Sequence, residues 1–159
     1  MDKQSLLAKL ERALQGELAS ASRAAKETAD AANHPEARPE NDKDTRKIEL
    51  SYLAAGQAAR AKELETGIAL LSQIPARSFA SNEPLAVGAL VELDVDGKAQ
   101  RVLLSPAGGG LKLADEQGEI NVVTPSSPLG RGITGKSAGD AFELAIGGLR
   151  REVTIVRAE

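Results

Sequence analysis

Residues 36–45 read E-A-R-P-E-N-D-K-D-T and interrupt two long runs of helical periodicity. Before them, residues 3–33 contain no Pro and one Gly. Apolar side chains recur at Leu7, Leu10, Leu14, Leu18, Ala21, Ala25, Ala29 and Ala32, in steps of 3, 4, 4, 3, 4, 4 and 3. That spacing predicts one long helix with a single apolar seam and little supercoil. Pro35 and Pro39 end it, because proline removes a helix donor and clashes with the preceding turn. After the interruption, Leu50, Ala54, Gln57, Ala61, Leu64, Ile68 and Leu71 alternate steps of 4 and 3, a heptad seam on a second helix over 42–73. Two such helices read as an antiparallel hairpin, with 36–45 as its far turn. Neither helix shows a second broad apolar stripe in this reading, which argues against a hairpin laid flat on a domain.

The turn holds four acids, Glu36, Glu40, Asp42 and Asp44, among Arg38, Lys43 and Arg46. A local explanation exists: acids suit a helix N-terminus, and Asn41 with Asp44 three residues later approximates a capping box. The functional alternative is that carboxylates are displayed on the end of a helical arm. His34 reads as a cap or a solvent-facing side chain rather than a metal ligand.

Composition narrows the classes. At 159 residues the chain has room for one domain, or a small domain with an appendage. It has no Cys, so thiolate metal sites and disulfides are out. The opening M-D-K-Q-S-L-L-A-K-L is a charged, periodic helix start rather than a signal peptide. No stretch approaches the roughly 20 apolar residues of a membrane span. A cytoplasmic protein without membrane contact is expected. A net charge of −3, spread as 11 basic and 12 acidic residues before Pro75 and 9 and 11 after it, argues against free-standing DNA binding. Tyr52, Phe79 and Phe142 are the only aromatic residues, too few for a base-stacking or aromatic-lined pocket.

The second half alternates like strands. Residues 75–84, P-A-R-S-F-A-S-N-E-P, read as a linker that Phe79 anchors to the C-terminal domain. Strands are expected over 87–95, 100–104, 111–114, 120–124, 141–146 and 149–156, with one short helix over 129–134. Asp96-Gly97 is the strongest hairpin signal. The class is α+β: an N-terminal antiparallel coiled-coil hairpin over 1–75 with its tip at 34–45, a linker over 76–86, and an antiparallel β domain over 87–159.

Residues 130–137, G-R-G-I-T-G-K-S, match the phosphate-binding P-loop pattern. That loop needs a buried parallel strand before it and a long helix after it, whose amides face the phosphates. Here S-A-G-D and a strand come next, and only 22 residues remain after Ser137. Nucleotide binding is not expected.

The same residues carry a different likeness. Residues 123–140, V-T-P-S-S-P-L-G-R-G-I-T-G-K-S-A-G-D, resemble the C-terminal signature of the GreA/GreB transcription elongation factors. That signature runs S-P-hydrophobic-x-R-x-hydrophobic-x-G-K, then G-D and two short strands. Ser127, Pro128, Leu129, Arg131, Gly132, Ile133, Gly135, Lys136, Gly139 and Asp140 fall on it. The resemblance extends over 87–157, and the family shares the long hairpin with an acidic tip. It implies an FKBP-like C-terminal domain that docks on the RNA polymerase core at the rim of its secondary channel. Ser126, Ser127, Pro128, Leu129 and Arg131 would face the polymerase. The tip would approach the active centre and the nascent RNA 3′ end. In the family, tip carboxylates help hold the second Mg2+ of the polymerase, which cuts backtracked RNA. No cofactor or stably bound metal of its own is implied, and the chain would modulate another enzyme's site. Glu40 would be the shared Mg2+ ligand, with Glu36, Asp42 and Asp44 beside it.

The tip departs from the family pattern. The family reads G-D-L-x-E-N where this chain reads E-A-R-P-E-N over 36–41, so Glu40 and Asn41 match while Ala37 stands at the Asp. A channel competitor or inhibitor without cleavage activity is therefore the alternative. An FKBP-type prolyl isomerase is a further one, disfavoured because Phe142 is the only ring in the sheet region.

Overall fold

The computed structural model describes residues 2–41 and 44–159. Asp42 and Lys43 lie outside the described residues, so the expectation placed on Asp42 has no structural counterpart. Helix α1 spans Lys3–Asn33 and α2 spans Arg46–Leu71, with a short 3-10 turn, Pro35–Ala37, between them. Strands β1 (Leu90–Val95), β2 (Lys98–Leu104), β3 (Lys112–Asp115), β4 (Gly118–Val123), β5 (Ala141–Ile146) and β6 (Leu149–Ala158) come after, with α3 (Pro128–Ile133) before β5. The chain forms two compact units: Arg12–Ile68, and Ala69–Glu159 together with the N-terminal residues up to Glu11.

In the helical unit both seams face inward. Leu14, Ala32, Ala61 and Leu64 are buried. Leu18, Ala21, Ala25 and Ala29 on α1, and Leu50, Ala54, Gln57 and Ile68 on α2, are half-buried. Arg60 pairs across with Glu17 at 3.2 Å, as the antiparallel arrangement requires. α2 starts at Arg46 rather than 42 because the Asp44 carboxylate accepts the Arg46 backbone N–H at 3.1 Å and so ends the turn there. No second broad apolar stripe is expected on either helix, but large apolar side chains of α2 do stand in solvent. Ile48, Tyr52 and Leu53 are exposed on it, because the sequence places apolar residues around its whole circumference.

The other unit is built on a six-stranded sheet in the order β3-β4-β2-β1-β6-β5. One departure from an antiparallel sheet occurs: β2 pairs β4 in parallel, Val102 opposite Asn121. After β2 the chain spends one strand, β3, reversing direction, so β4 returns running with β2. At the β1–β2 turn, Asp96 (φ 52°) and Gly97 (φ 82°) are both left-handed, the geometry that Asp-Gly favours.

One sheet face carries the main core. Val91, Leu93, Val95, Val102, Leu104, Leu144, Val153 and Ile155 pack there with Ile133 of α3, Leu85 and Phe79. Phe79 thus anchors its segment, and the Arg77 guanidinium lies 4.1 Å above its ring. The opposite face is also apolar, at Leu90, Leu103, Leu113, Ile120 and Val122, all buried. The first turns of α1 belong to this unit and supply buried Leu6, Leu7 and Leu10. Lys9 Nζ donates to the Ala114 carbonyl of β3 at 2.8 Å, which sets those turns over that face. On the same face Arg101 and Asp115 form a two-pronged ion pair at 2.5 and 2.8 Å.

Candidate functional site: the 124–131 loop and the helical turn

The loop after β4 is fixed by its own side chains. Ser127 caps α3: its hydroxyl accepts from the Gly130 N–H at 3.0 Å and donates to the Thr124 carbonyl at 2.8 Å. Pro128 comes next, at the first helical position, where its missing N–H costs nothing. Arg131 then reaches back, and its guanidinium donates to the Ser126 carbonyl at 2.6 Å. Thr124 and Ser126 hydroxyls meet at 3.1 Å. The result is a closed knot of short bonds with Ser126 and Pro128 exposed on its crest. A groove runs beside it, lined by Gly109, Gly110, Asn121, Val123, Thr124 and Ser126.

The glycines of G-R-G serve packing. A Cβ on Gly130 would lie 1.9 Å from the Thr124 carbonyl oxygen, and one on Gly132 would lie 2.1 Å from the Phe142 ring. α3 is a single six-residue helix with a turn and β5 after it, so the P-loop geometry does not form. Lys136, the position a P-loop would aim at phosphate, sits 5.8 Å above the Phe142 ring. Of the five residues expected to face a partner, Ser126, Pro128 and Arg131 are exposed, Ser127 and Arg131 hold the loop, and Leu129 packs against the core.

Described residues of the turn between the helices also pair with one another. The Asp44 carboxylate accepts from the Arg46 guanidinium at 2.8 Å and from the Glu40 N–H at 3.2 Å. The Arg46 bond, the two backbone N–H groups and the guanidinium charge hold Asp44 well below the usual carboxylate range. The same guanidinium lies 3.6 Å from Glu40, whose side chain is 80% exposed. The Asp44 carboxylate also takes the Arg46 N–H, the Asp44 N–H donates to the Asn41 carbonyl at 3.0 Å, and Thr45 donates to Glu49 at 2.6 Å. His34 caps the 3-10 turn, its Nδ1 accepting from the Glu36 N–H at 3.3 Å. Glu36 is exposed, and Ala37 is buried at 8% exposure. No group of three metal-ligating side chains occurs among the described residues.

Sequence reading underweighted two residues here. Arg46 stands two positions after Asp44, a spacing that lets an Asp take both its N–H and its side chain. Thr124 begins T-P-S-S, a pattern in which hydroxyls and carbonyls close on one another.

A helical hairpin with a capped turn, continued by a mixed six-stranded sheet and a short helix, defines an α+β protein of the hairpin-plus-sheet class. Among solved structures, the chain is similar to the GreA factor homolog 1 (Gfh1) protein of Thermus thermophilus, 22% identical over 99% of this chain and 94% of that one, with a TM-score of 0.39. A second structure of the transcription factor Gfh1 is 23% identical over 96% and 92%, with a TM-score of 0.41. Thermus aquaticus Gfh1 is 18% identical over 93% and 92%, with a TM-score of 0.40. No family model matches the chain, and no curated protein matches it in sequence. At these identities and TM-scores the functional reading rests on the residues of this chain. Among the described residues, no helix is long and apolar enough to cross a membrane.

Proposed function

We propose that the chain is a cytoplasmic, RNA polymerase-binding elongation factor of the GreA/GreB type. The observation that carries this reading is the knot at 124–131. The stretch that resembles the family signature is held as a rigid, exposed crest by Ser127 and Arg131. A preformed crest loses little freedom on docking, which favours a surface contact with a large partner. The C-terminal domain would dock at the rim of the secondary channel, and the helical turn would enter toward the active centre and the RNA 3′ end. Any Mg2+ involved would be the polymerase's own.

A specific observation favours modulation without cleavage. A second Mg2+ needs carboxylates free to turn toward it. Ala37, at the position of the family Asp, is buried, and Asp44 is tied to Arg46. Glu40 stands 3.6 Å from that same cation, which offsets its charge. Of the described acids of the turn only Glu36 is exposed away from that cation, and one such carboxylate suits a channel competitor better than a cleavage factor. The prolyl isomerase alternative loses ground, because Phe142 packs beneath Gly132 and Lys136 instead of lining an open pocket.

Pull-down with RNA polymerase core tests binding: retention by the unmodified chain and loss with Arg131→Ala are expected. Transcript cleavage on stalled complexes tests the second point, with Glu40→Ala beside the unmodified chain. No cleavage by either, with inhibition of an added cleavage factor, is expected. Cleavage abolished by Glu40→Ala would reverse the competitor reading while leaving polymerase binding intact.

A further inference from the structure

The sheet ends on one side in β3 and on the other in β5, and the two edges are finished differently. β3 has four residues, carries Lys112, and gives its Ala114 carbonyl to Lys9 at 2.8 Å. A short strand and a lysine cover are ordinary protections of a free edge. β5 has six residues with no Lys, Pro or bulge. Two observations fix which way its backbone groups point. The Ile155 N–H donates to the Asp140 carbonyl at 2.8 Å, and Ile146 faces Leu149 across the two-residue turn Gly147-Gly148. Alternation along the strand then turns Phe142, Leu144 and Ile146 toward β6, and the N–H and C=O groups of Ala141, Glu143 and Ala145 away from it. All three of those residues are exposed, and no backbone bond outside the sheet reaches them among the described residues.

An edge of this kind accepts a strand, and the side chains of β5 fit a second copy of it. Antiparallel two-fold pairing keeps every side chain on its own sheet face, so the axis passes between two copies of one residue. Centred on Glu143, the pairing would set two glutamates against each other. Centred on Ala145, it would leave Glu143 opposite the glycine turn. Centred on Leu144, it sets Glu143 opposite Ala145 of the second copy, and the reverse, which satisfies the outward N–H and C=O of both residues in each chain. On the core side of the sheet this register places Ile146 opposite Phe142 of the second copy. Ile146 and its neighbour Leu149 are 53% and 62% exposed in the single chain, just beyond the end of the core. On the other face Glu143 stands directly opposite Glu152 of β6, a destabilising like-charge pair, with Arg150 on the diagonal at 3.6 Å. Arg150 is also the β6 neighbour of Ala145. Pairing therefore brings the Arg150 of the second copy alongside Glu143 with one alanine between them, a complementary charge on each side of the axis. We propose that the β5 edge pairs antiparallel with β5 of a second copy of this chain, centred on Leu144. One short strand and a few apolar contacts fall below the roughly 800 Å2 per partner of a stable interface, so the association is reversible. It concerns β5 alone and stands whether or not the chain binds polymerase.

Sedimentation equilibrium of the full chain over a wide concentration range tests this. The unmodified chain is expected to move from monomer to dimer, and Ala145→Pro to weaken association roughly tenfold or more. The Ala145 N–H points out of the sheet, so proline there removes a bond to the second copy and none within the chain. Unchanged circular dichroism verifies the fold. Hydrogen exchange reads the edge in the unmodified chain: the Glu143 and Ala145 amides should slow as concentration rises. Register is read by disulfide formation, since the chain has no Cys. Glu143→Cys mixed with Ala145→Cys should give the mixed disulfide in excess of its statistical share. A monomer at every concentration, association indifferent to the proline, exchange indifferent to concentration, or like disulfides above their statistical share would each overturn the proposal.

Discussion

Gly130 and Gly132 sit two residues apart and are required for different reasons, one by a backbone carbonyl and the other by an aromatic ring. A methyl on Gly130 would have to displace the Thr124 carbonyl that Ser127 uses, so Gly130→Ala should cost about 1–3 kcal/mol. Thermal unfolding and polymerase pull-down should fall together, because the strain and the crest share one loop. This site also marks a limit of sequence reading. G-R-G-I-T-G-K-S matches a phosphate loop by letter, and only the short segment after it spoke against it. Which glycine faced a carbonyl and which a ring was not legible, since neither contact is local in the chain. Elsewhere in that unit, Asp115 is 3% exposed and bound by the Arg101 guanidinium, which holds its carboxyl well below the usual range. In the unfolded chain an Asp titrates near about 3.9. As pH falls below that value the unfolded state takes up a proton first, so this contribution is full above about pH 4 and drains away on further acidification. Asp115→Ala should lower stability by about 3 kcal/mol at neutral pH by taking the two-pronged partner from a nearly buried Arg101, which Glu92 and Glu159 offset only in part. Its stability profile below pH 4 should also be flatter than that of the unmodified chain in acid titrations followed by denaturant unfolding.

The two seams show what periodicity can and cannot tell. Every seam position read from spacing, from Leu7 to Ala32 and from Leu50 to Leu71, is buried or half-buried. A helix offers only one way to bring such residues together, which is why those positions were legible. That Ile48 and Tyr52 stand in solvent on α2 was not legible, because spacing marks the seam that will be buried and not what the far side leaves exposed. The parallel β2–β4 pairing was missed because strand direction depends on how the chain returns, which alternation does not encode. Two substitutions test the seam itself. Gln57 lies in it with its side-chain oxygen buried and without a hydrogen-bond partner among the described residues. Gln57→Leu, similar in length, should stabilise the hairpin by about 1–3 kcal/mol by removing that unsatisfied group. Gly16 on α1 is exposed with open space at its Cβ, so Gly16→Ala should add about 1 kcal/mol of helix stability. Denaturant midpoints rising in both variants would bear this out; a fall for Gln57→Leu would mean the amide fixes the register of the pair.

At the scale of the molecule, the division of the chain does not coincide with the division of its elements. α1 is one continuous helix, yet its residues up to Glu11 belong to the sheet-containing unit, while residues from Arg12 onward belong to the helical one. The reason is on the second sheet face, where Leu90, Leu103, Leu113, Ile120 and Val122 need a cover. Leu6, Leu7 and Leu10 are buried in the same unit, and Lys9 and Lys3 tie those turns to the Ala114 and Arg77 carbonyls at 2.8 and 2.6 Å. Each such leucine contributes about 1.5–3 kcal/mol when removed from water, and three of them rival the 5–15 kcal/mol that typically separates folded from unfolded chains. Removing residues 2–11 should therefore leave the sheet marginal, although no strand is touched. A chain beginning at Arg12 is expected to unfold at a markedly lower temperature and to bind a hydrophobic dye that the full chain does not. Restoring the segment with Leu6 and Leu10 as Ala should recover the helix but only part of the melting temperature. If the shortened chain melts where the full one does, the second face has another cover and this assignment of the first turns is wrong.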